Sequence, residues 1–359
     1  MSGLTARVRI TSPLGYPVGI PFQPLALRAV ATVNGTGYFE LKIAAADYPR
    51  GLFALDRRVE VELQATGRAP VLAFVGLMRL YRESSYAAEF TVDYRDEITF
   101  VYVGGSGQAA GRTVRTRSDA TRLNASVINR REGFGAYPNT ADADVLDAHG
   151  DKLLREGRVK TTLVRDLGEL QPWAFGIDWA LGDTLTIASD VPETITLGGP
   201  GWNDLLTRRV IAYPTDSSEA KKTGAADSLM LAYVDENLVN PTDTTRALDA
   251  AMGLSVGYAY GVAPSVTHSA TYGNLWDALK DLSDKSQQSG TQLRFGLTPQ
   301  WDGTRYTPRF DVRLGRWGSA RPWVLGTGMQ SQEAEITGID IQVDARGSAT
   351  VLAKTEDTV

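Results

Sequence analysis

The 359 residues contain no cysteine, which removes disulfides, thiol catalysis, iron–sulfur clusters and cysteine-bound zinc together. Histidine is almost as scarce, with His149 and His268 far apart in the chain. Neither a nucleophile elbow nor a zinc-binding H-E-x-x-H helix is expected to operate here. Long hydrophobic runs are also missing. The longest, Ala69 to Met78, is about half of the roughly 20 residues that a membrane helix needs, so a soluble chain without a membrane segment is expected. The opening residues MSGLTARVRITSPLG hold charges but no apolar core of a secretory signal. There is no basic excess either: 37 Lys and Arg stand against 42 Asp and Glu, a net charge of −5. Such a balance argues against a surface built for sequence-specific nucleic-acid binding, while an acidic lumen would let DNA slide past.

What is present is ordinary globular material, 43% hydrophobic and 22% charged, long enough for two or three domains. The first hundred residues read as strand. Phe39, Leu41 and Ile43 alternate with Glu40 and Lys42, and Val59, Val61 and Leu63 alternate with Glu60, Glu62 and Gln64. Asn34-Gly35 offers the positive φ angles of a tight hairpin. Further strands are expected at 97–103, 184–187, 194–197, 293–297, 310–314 and 339–343. Helices are expected at 143–155, 225–238 and 274–286, the last with Leu275, Leu279 and Leu282 on one face and Gly290 as its stop. The fold class is α+β with strands dominant. Its expected divisions are a β domain at 1–84, a β-rich domain with one helix at 85–190, an α/β domain with two helices at 191–332, and closing strands at 333–359.

Two stretches imitate ligand sites. Gly105–Gly111 (GSGQAAG) follows a strand as a phosphate loop would, but RTVRTRSDATRL after it lacks helical periodicity, so a structural loop is expected. Asp142, Asp144, Asp147, His149 and Asp151 resemble metal ligands, yet Leu153 stands where a calcium loop needs a glutamate. An acidic helix start accounts for them. No metal, cofactor or catalytic residue is expected, and the chain reads as a non-enzyme. Arg208 and Arg209, with Arg316, Trp317, Arg321 and Trp323 of the GRWGSARPW turn, are candidates for ion pairs and an assembly interface.

Several phrases together resemble a family of siphophage tail proteins, the tail-hub-like or baseplate-hub group. They are YGNLWDALKDLSDKSQQSG at Tyr272, GWNDLLTRRVIAY at Gly201, LFALDRRVEV at Leu52, DEITFVYVGGSGQAAGR at Asp96, NASVINRREGF at Asn124 and WALGDTLTI at Trp179. The resemblance implies tail-tube-like β-barrel domains with small α/β additions. It also implies a homotrimeric ring at the tail tip in the virion, assembled in the host cytoplasm. This ring would close the tube and open for DNA ejection. Its implied partners are tail tube or distal-tail protein, tape-measure protein and a tip fibre or spike. Relative to the family, the segments 85–190 and 191–332 stand in exchanged order, with exchange points at Ser85 and near Val191. A distal-tail adaptor ring is the alternative reading, and a glycan-binding or hydrolytic tip module a third.

Overall fold

The computed structural model describes residues 4–19, 24–86, 88–107, 111–165, 177, 180, 191–212, 219–248, 252–316 and 334–357. Seven strands open the chain: β1 (Leu4–Thr11), β2 (Ala26–Thr32), β3 (Tyr38–Ala44), β4 (Arg58–Ala65), β5 (Val71–Leu77), β6 (Leu80–Ser84) and β7 (Ala88–Asp93). The alternation predicted for β3 holds, with Phe39, Leu41 and Ile43 buried and Glu40 and Lys42 exposed. In β4 it holds for Val59 and Val61 but not for Glu60, which is buried. Glu60 accepts a hydrogen bond from Thr11 and pairs with Arg9, its cross-strand partner on β1, so side chains of the same sheet take up its carboxylate. Burial pushes its carboxyl up, against the pull of Arg9. At the hairpin, Asn34 takes the positive φ (53°), while Gly37 rather than Gly35 is the second residue to do so. The Asn34 amide also clamps a distant strand: it donates to the Leu293 carbonyl, and its oxygen accepts from Phe295 N–H.

The middle of the chain adds β8 (Phe100–Gly104), β9 (Val114–Ser118), the short α1 (Ala120–Leu123), β10 (Glu132–Ala136), α2 (Ala143–Glu156), β11 (Lys160–Arg165) and β12 (Thr194–Pro200). β10, β8 and β9 make a small mixed sheet, and α2 packs on it through Leu146 and Leu154 against Val101 and Val103. The predicted α2 is met to within a residue, capped by Asp142, which accepts from the backbone of Asp144 and Val145. Gly150, within this unbroken helix, has a positive reason to be glycine. A Cβ there would lie 2.5 Å from Arg117 Cγ, so glycine lets the helix approach β9. The strand expected from residue 97 starts only at Phe100, and the one at 184–187 lies outside the described residues.

The remainder of the chain holds α3 (Asp204–Thr207), β13 (Ala220–Ala225), α4 (Ala226–Val234), β14 (Ser255–Val256), β15 (Ser265–Ala270), α5 (Leu275–Gln288), β16 (Leu293–Trp301), β17 (Tyr306–Leu314), β18 (Ala334–Val343) and β19 (Ala349–Asp357). α4 ends in a π-helical turn at Asp235–Val239. Leu275, Leu279 and Leu282 of α5 are fully buried in a core shared with α3, α4, β16 and β17. β18 returns to the N-terminal strands and pairs with β2.

The larger sheet runs β11-β7-β6-β12-β3-β2-β18-β19, and a three-stranded sheet runs β1-β4-β5. They enclose one core of Val8, Ile10, Leu41, Ile43, Val59, Val61, Ile195, Leu197 and Ile341, among others. Strand dominance and the α+β class therefore stand, but the described strands form no closed barrel. β1 meets the residues before β19 at the Thr5–Ser348 bridge and through the Ala6 N–H donating to the Gly347 carbonyl, and β5 meets the residues after β12 at the Gly76–Gly201 bridge and through the Trp202 N–H donating to the Val75 carbonyl. These few contacts join the two sheets at their margins without continuing either ladder. Ser84, which ends β6, and Glu193, just before β12, lie side by side, and the Glu193 N–H donates to the Ser84 carbonyl at 2.9 Å.

Candidate functional site, a buried arginine–carboxylate junction

Three cores meet where charged residues interrupt otherwise apolar segments. Arg79 follows β5, Asp56 precedes β4, Glu97 precedes β8, and Asn129 to Glu132 lead into β10. α3 supplies Asp204 and, one turn later, Arg208, the spacing that puts both on one helix face. Asp56 Oδ1 accepts from Arg79 Nη1 at 3.2 Å and Arg208 Nη2 at 2.9 Å. Asp204 Oδ2 takes Arg208 Nε at 2.9 Å and Arg131 Nη1 at 3.0 Å. Glu97 Oε2 is 3.2 Å from Arg79 Nη2 and accepts from the Asn129 amide at 3.1 Å, while Arg79 Nη1 also donates to Asn129 Oδ1 at 2.7 Å.

Next to this lies a second cluster around Glu132. Its Oε1 accepts from Arg130 Nε at 2.8 Å and Arg246 Nε at 2.9 Å, and its Oε2 from Arg246 Nη2 and Val210 N–H. Arg209 donates to the backbone carbonyls of Arg246, Arg130 and Arg208. Arg130 reaches outward to Thr245 and Asp243.

Burial alone would raise the carboxyls of Asp56, Asp204 and Glu132, but the surrounding guanidinium groups hold all three below their usual range. Arg208, between two carboxylates, is raised despite its own burial. Burial and neighbouring arginines outweigh the carboxylates for Arg79, which is lowered, and for Arg209, pushed down to about 9. The first cluster is balanced in charge and the second carries an excess of arginine.

An aromatic strip continues from Arg130. Its guanidinium lies 4.0 Å from the Phe100 ring centroid, followed by Phe100–Tyr102 at 5.0 Å and Tyr102–Tyr272 at 5.2 Å. Tyr272 is stacked on Phe134 at 5.1 Å and 3°, and the Arg112 guanidinium lies 5.3 Å from the Phe134 ring centroid. Phe100 and Tyr102 alternate in β8 with Val101 and Val103, which face α2, so one strand serves both contacts. Tyr272 comes from the loop before α5 at a positive φ of 52°.

Of the residues expected at an assembly interface, Arg208 and Arg209 are enclosed at this junction. Their ion-pair and carbonyl partners come from the same chain, so their side chains offer no surface to a second one. Arg316 is exposed after β17, and Trp317, Arg321 and Trp323 lie outside the described residues. Asp56, Arg79, Glu97, Asn129, Glu132, Asp204 and Arg246 were missed. The available signal was a charge inside an apolar run, as in Val71–Tyr81 around Arg79.

The imitation sites resolve locally. Asp142 caps α2, Asp147 pairs with Arg115 and Asp151 with Arg117, each at 2.8 Å. No His, Asp and Glu group fit to hold a metal occurs among the described residues. The sequence does contain the letters of a nucleophile elbow, GLSVG at Gly253–Gly257, which the expectation of none overlooked. Ser255 there sits within β14, paired with Arg309 of β17, and not at the strand-to-helix turn such an elbow requires. A cavity of about 200 Å³ between Phe74, Trp202, Asn203 and Leu297 is lined by no titratable side chain.

Residues 190–318, rather more than a third of the chain, match the family described as Siphovirus ReqiPepy6 Gp37-like protein. The match suggests a structural protein associated with the siphophage tail, located in the virion and in contact with other tail components. It covers α3, α4, α5, β16 and β17, including the Asp204–Arg208 pair of the junction. No curated protein matches the chain. No helix among the described residues is long and apolar enough to cross a membrane.

Proposed function

We propose that the chain is a non-enzymatic structural subunit of the tail tip, a hub whose copies form a closed ring at the end of the tail tube. The observation that carries this reading is the buried junction. Its ion pairs and backbone contacts tie the N-terminal sheets, the middle sheet with α2, and the helical unit into one body. A part that transmits force between tube and tip needs such rigidity, and removing one partner of a buried pair costs about 3–5 kcal/mol. Distal-tail, tape-measure and fibre or spike proteins are the partners this role requires, with the ring opening for DNA passage. The chain would assemble in the host cytoplasm before entering the virion.

The native mass of the purified protein across concentration, by mass photometry with negative-stain imaging, tests the proposal. A three-fold ring supports the hub. A six-fold ring replaces it with a distal-tail adaptor. A monomer at every concentration, alone and with the tail-tube protein, together with turnover on peptidoglycan, overturns the structural reading.

A further inference from the structure

β13 and β15 form a two-stranded sheet lying against α4 and α5. His268 of β15 stands directly across from Lys222 of β13 and is 5% exposed. Its Nδ1 lies 3.0 Å from the Tyr233 hydroxyl on α4, and its Nε2 lies 3.2 Å from Asp281 Oδ2 on α5. One imidazole therefore fastens the sheet to both helices.

The partners fix where its proton sits. An ionised Asp281 can only accept, so Nε2 carries the hydrogen of the neutral ring and Nδ1 accepts from Tyr233. The same hydroxyl lies 2.8 Å from the Ala220 carbonyl, a second acceptor for its single hydrogen. A second proton on the ring makes Nδ1 a donor and turns the Tyr233 hydrogen towards Ala220. The two protonation states thus need different hydrogen-bond sets.

The surroundings decide which state the fold favours. Asp281, half-exposed, is already engaged by Lys285 at 2.7 Å on the same helix. Lys222, across the strand pair, holds Glu236 at 2.5 Å and lies 5.4 Å from the Tyr233 ring centroid. Glu219, just before β13, is taken up by Ser269. A charged imidazole would be a further cation between two lysines in a dry position. Burial first, then Lys285, hold His268 below its ordinary value of 6.5, with Asp281 opposing.

We propose that His268 is a proton-sensitive clasp: the neutral ring fastens β13 and β15 to α4 and α5, and protonation loosens that pair of strands. The consequence reaches the loop leading into β15, where Tyr258 and Tyr260 are 80% and 63% exposed. That loop is held by the Gly261 N–H donating to Asp227 at 2.8 Å.

The test is made on the full-length chain. Imidazole nitrogen NMR needs to separate two histidines only, and His149→Gln leaves one. The expected result is an Nε2–H tautomer at pH 7.5 and a titration below 6.5, lowered further by Asp281→Asn and raised by Lys285→Gln. Hydrogen exchange at pH 7.5 and 5, corrected for intrinsic rates, should show residues 220–225 and 265–270 losing protection while β3 and β12 keep theirs. Each unit by which the folded value lies below 6.5 corresponds to about a tenfold loss. His268→Gln should abolish the pH dependence; if that variant does not fold, Lys285→Gln should shrink the loss of protection at pH 5, because it brings the folded value closer to 6.5. An Nδ1–H tautomer, a titration indifferent to Asp281 and Lys285, or equal protection at both pH values overturns the proposal.

Discussion

Arg208 Nη2 lies 2.9 Å from Asp56 Oδ1 across 152 residues of chain, and both side chains are completely buried. The contact joins a loop beside the N-terminal sheets to the end of the one-turn helix α3. Arg79 and Asp204 then complete an alternating set of charges.

Arg208→Met should lower stability by about 3–5 kcal/mol, because Asp56 and Asp204 keep their charge without their shared cation. Urea unfolding would show it. Asp56→Asn combined with Arg208→Met should cost less than the sum of the two single changes, since the pair acts as a unit. Strict additivity would mean that the two residues do not interact.

Acid should unfold the protein through this junction. Asp56 and Asp204, from 3.8, and Glu132, from 4.5, are all held lower in the folded chain. Their contribution is therefore complete above the ordinary carboxylate range and is lost as pH falls through their folded values. Glu60 is raised and acts in the opposite sense: its contribution is present below 4.5 and declines as pH rises through its folded value. Unfolding free energy measured from pH 6 to 2 should decline below about pH 4.5, and Asp204→Asn should flatten that decline.

Tyr272 combines a left-handed backbone with a stacked ring. Tyr272→Gly removes the backbone strain, so its measured loss should be smaller than that of Tyr272→Ala, which keeps the strain and loses the ring. The stack itself contributes about 0.5–1.5 kcal/mol beyond area burial. Thermal unfolding of the two variants side by side checks the order.

Gly199, in β12, passes so close to the end of β5 that a Cβ would lie 2.0 Å from the Leu77 carbonyl oxygen. Backbone cannot yield as a flexible side chain does, so Gly199→Ala should cost at least about 1–3 kcal/mol. Gly67→Ser, in a turn where a Cβ meets nothing within 4 Å, serves as the contrast and should lose only the smaller cost of its positive φ. Denaturant midpoints of the two variants compare them.

The amino-acid sequence by itself determined the local elements. The period of two in β3 and the capped, dipole-matched α2 were legible because their signals lie within a few residues, as were the apolar stripe and Gly290 stop of α5. The tail association was legible in the same way, through phrases of sequence. Tertiary structure alone decided the rest. Whether Glu60 is exposed depends on which side chains β1 sets beside it. Whether two sheets close a barrel depends on edge pairings between residues as distant as Thr5 and Ser348. The junction follows the same rule. Asp56, Arg79, Glu97, Glu132, Asp204 and Arg246 are ordinary charges in the chain. They become a site only because folding buries them together with Arg208, Arg131, Arg130 and Asn129, whose side chains help take up their charges.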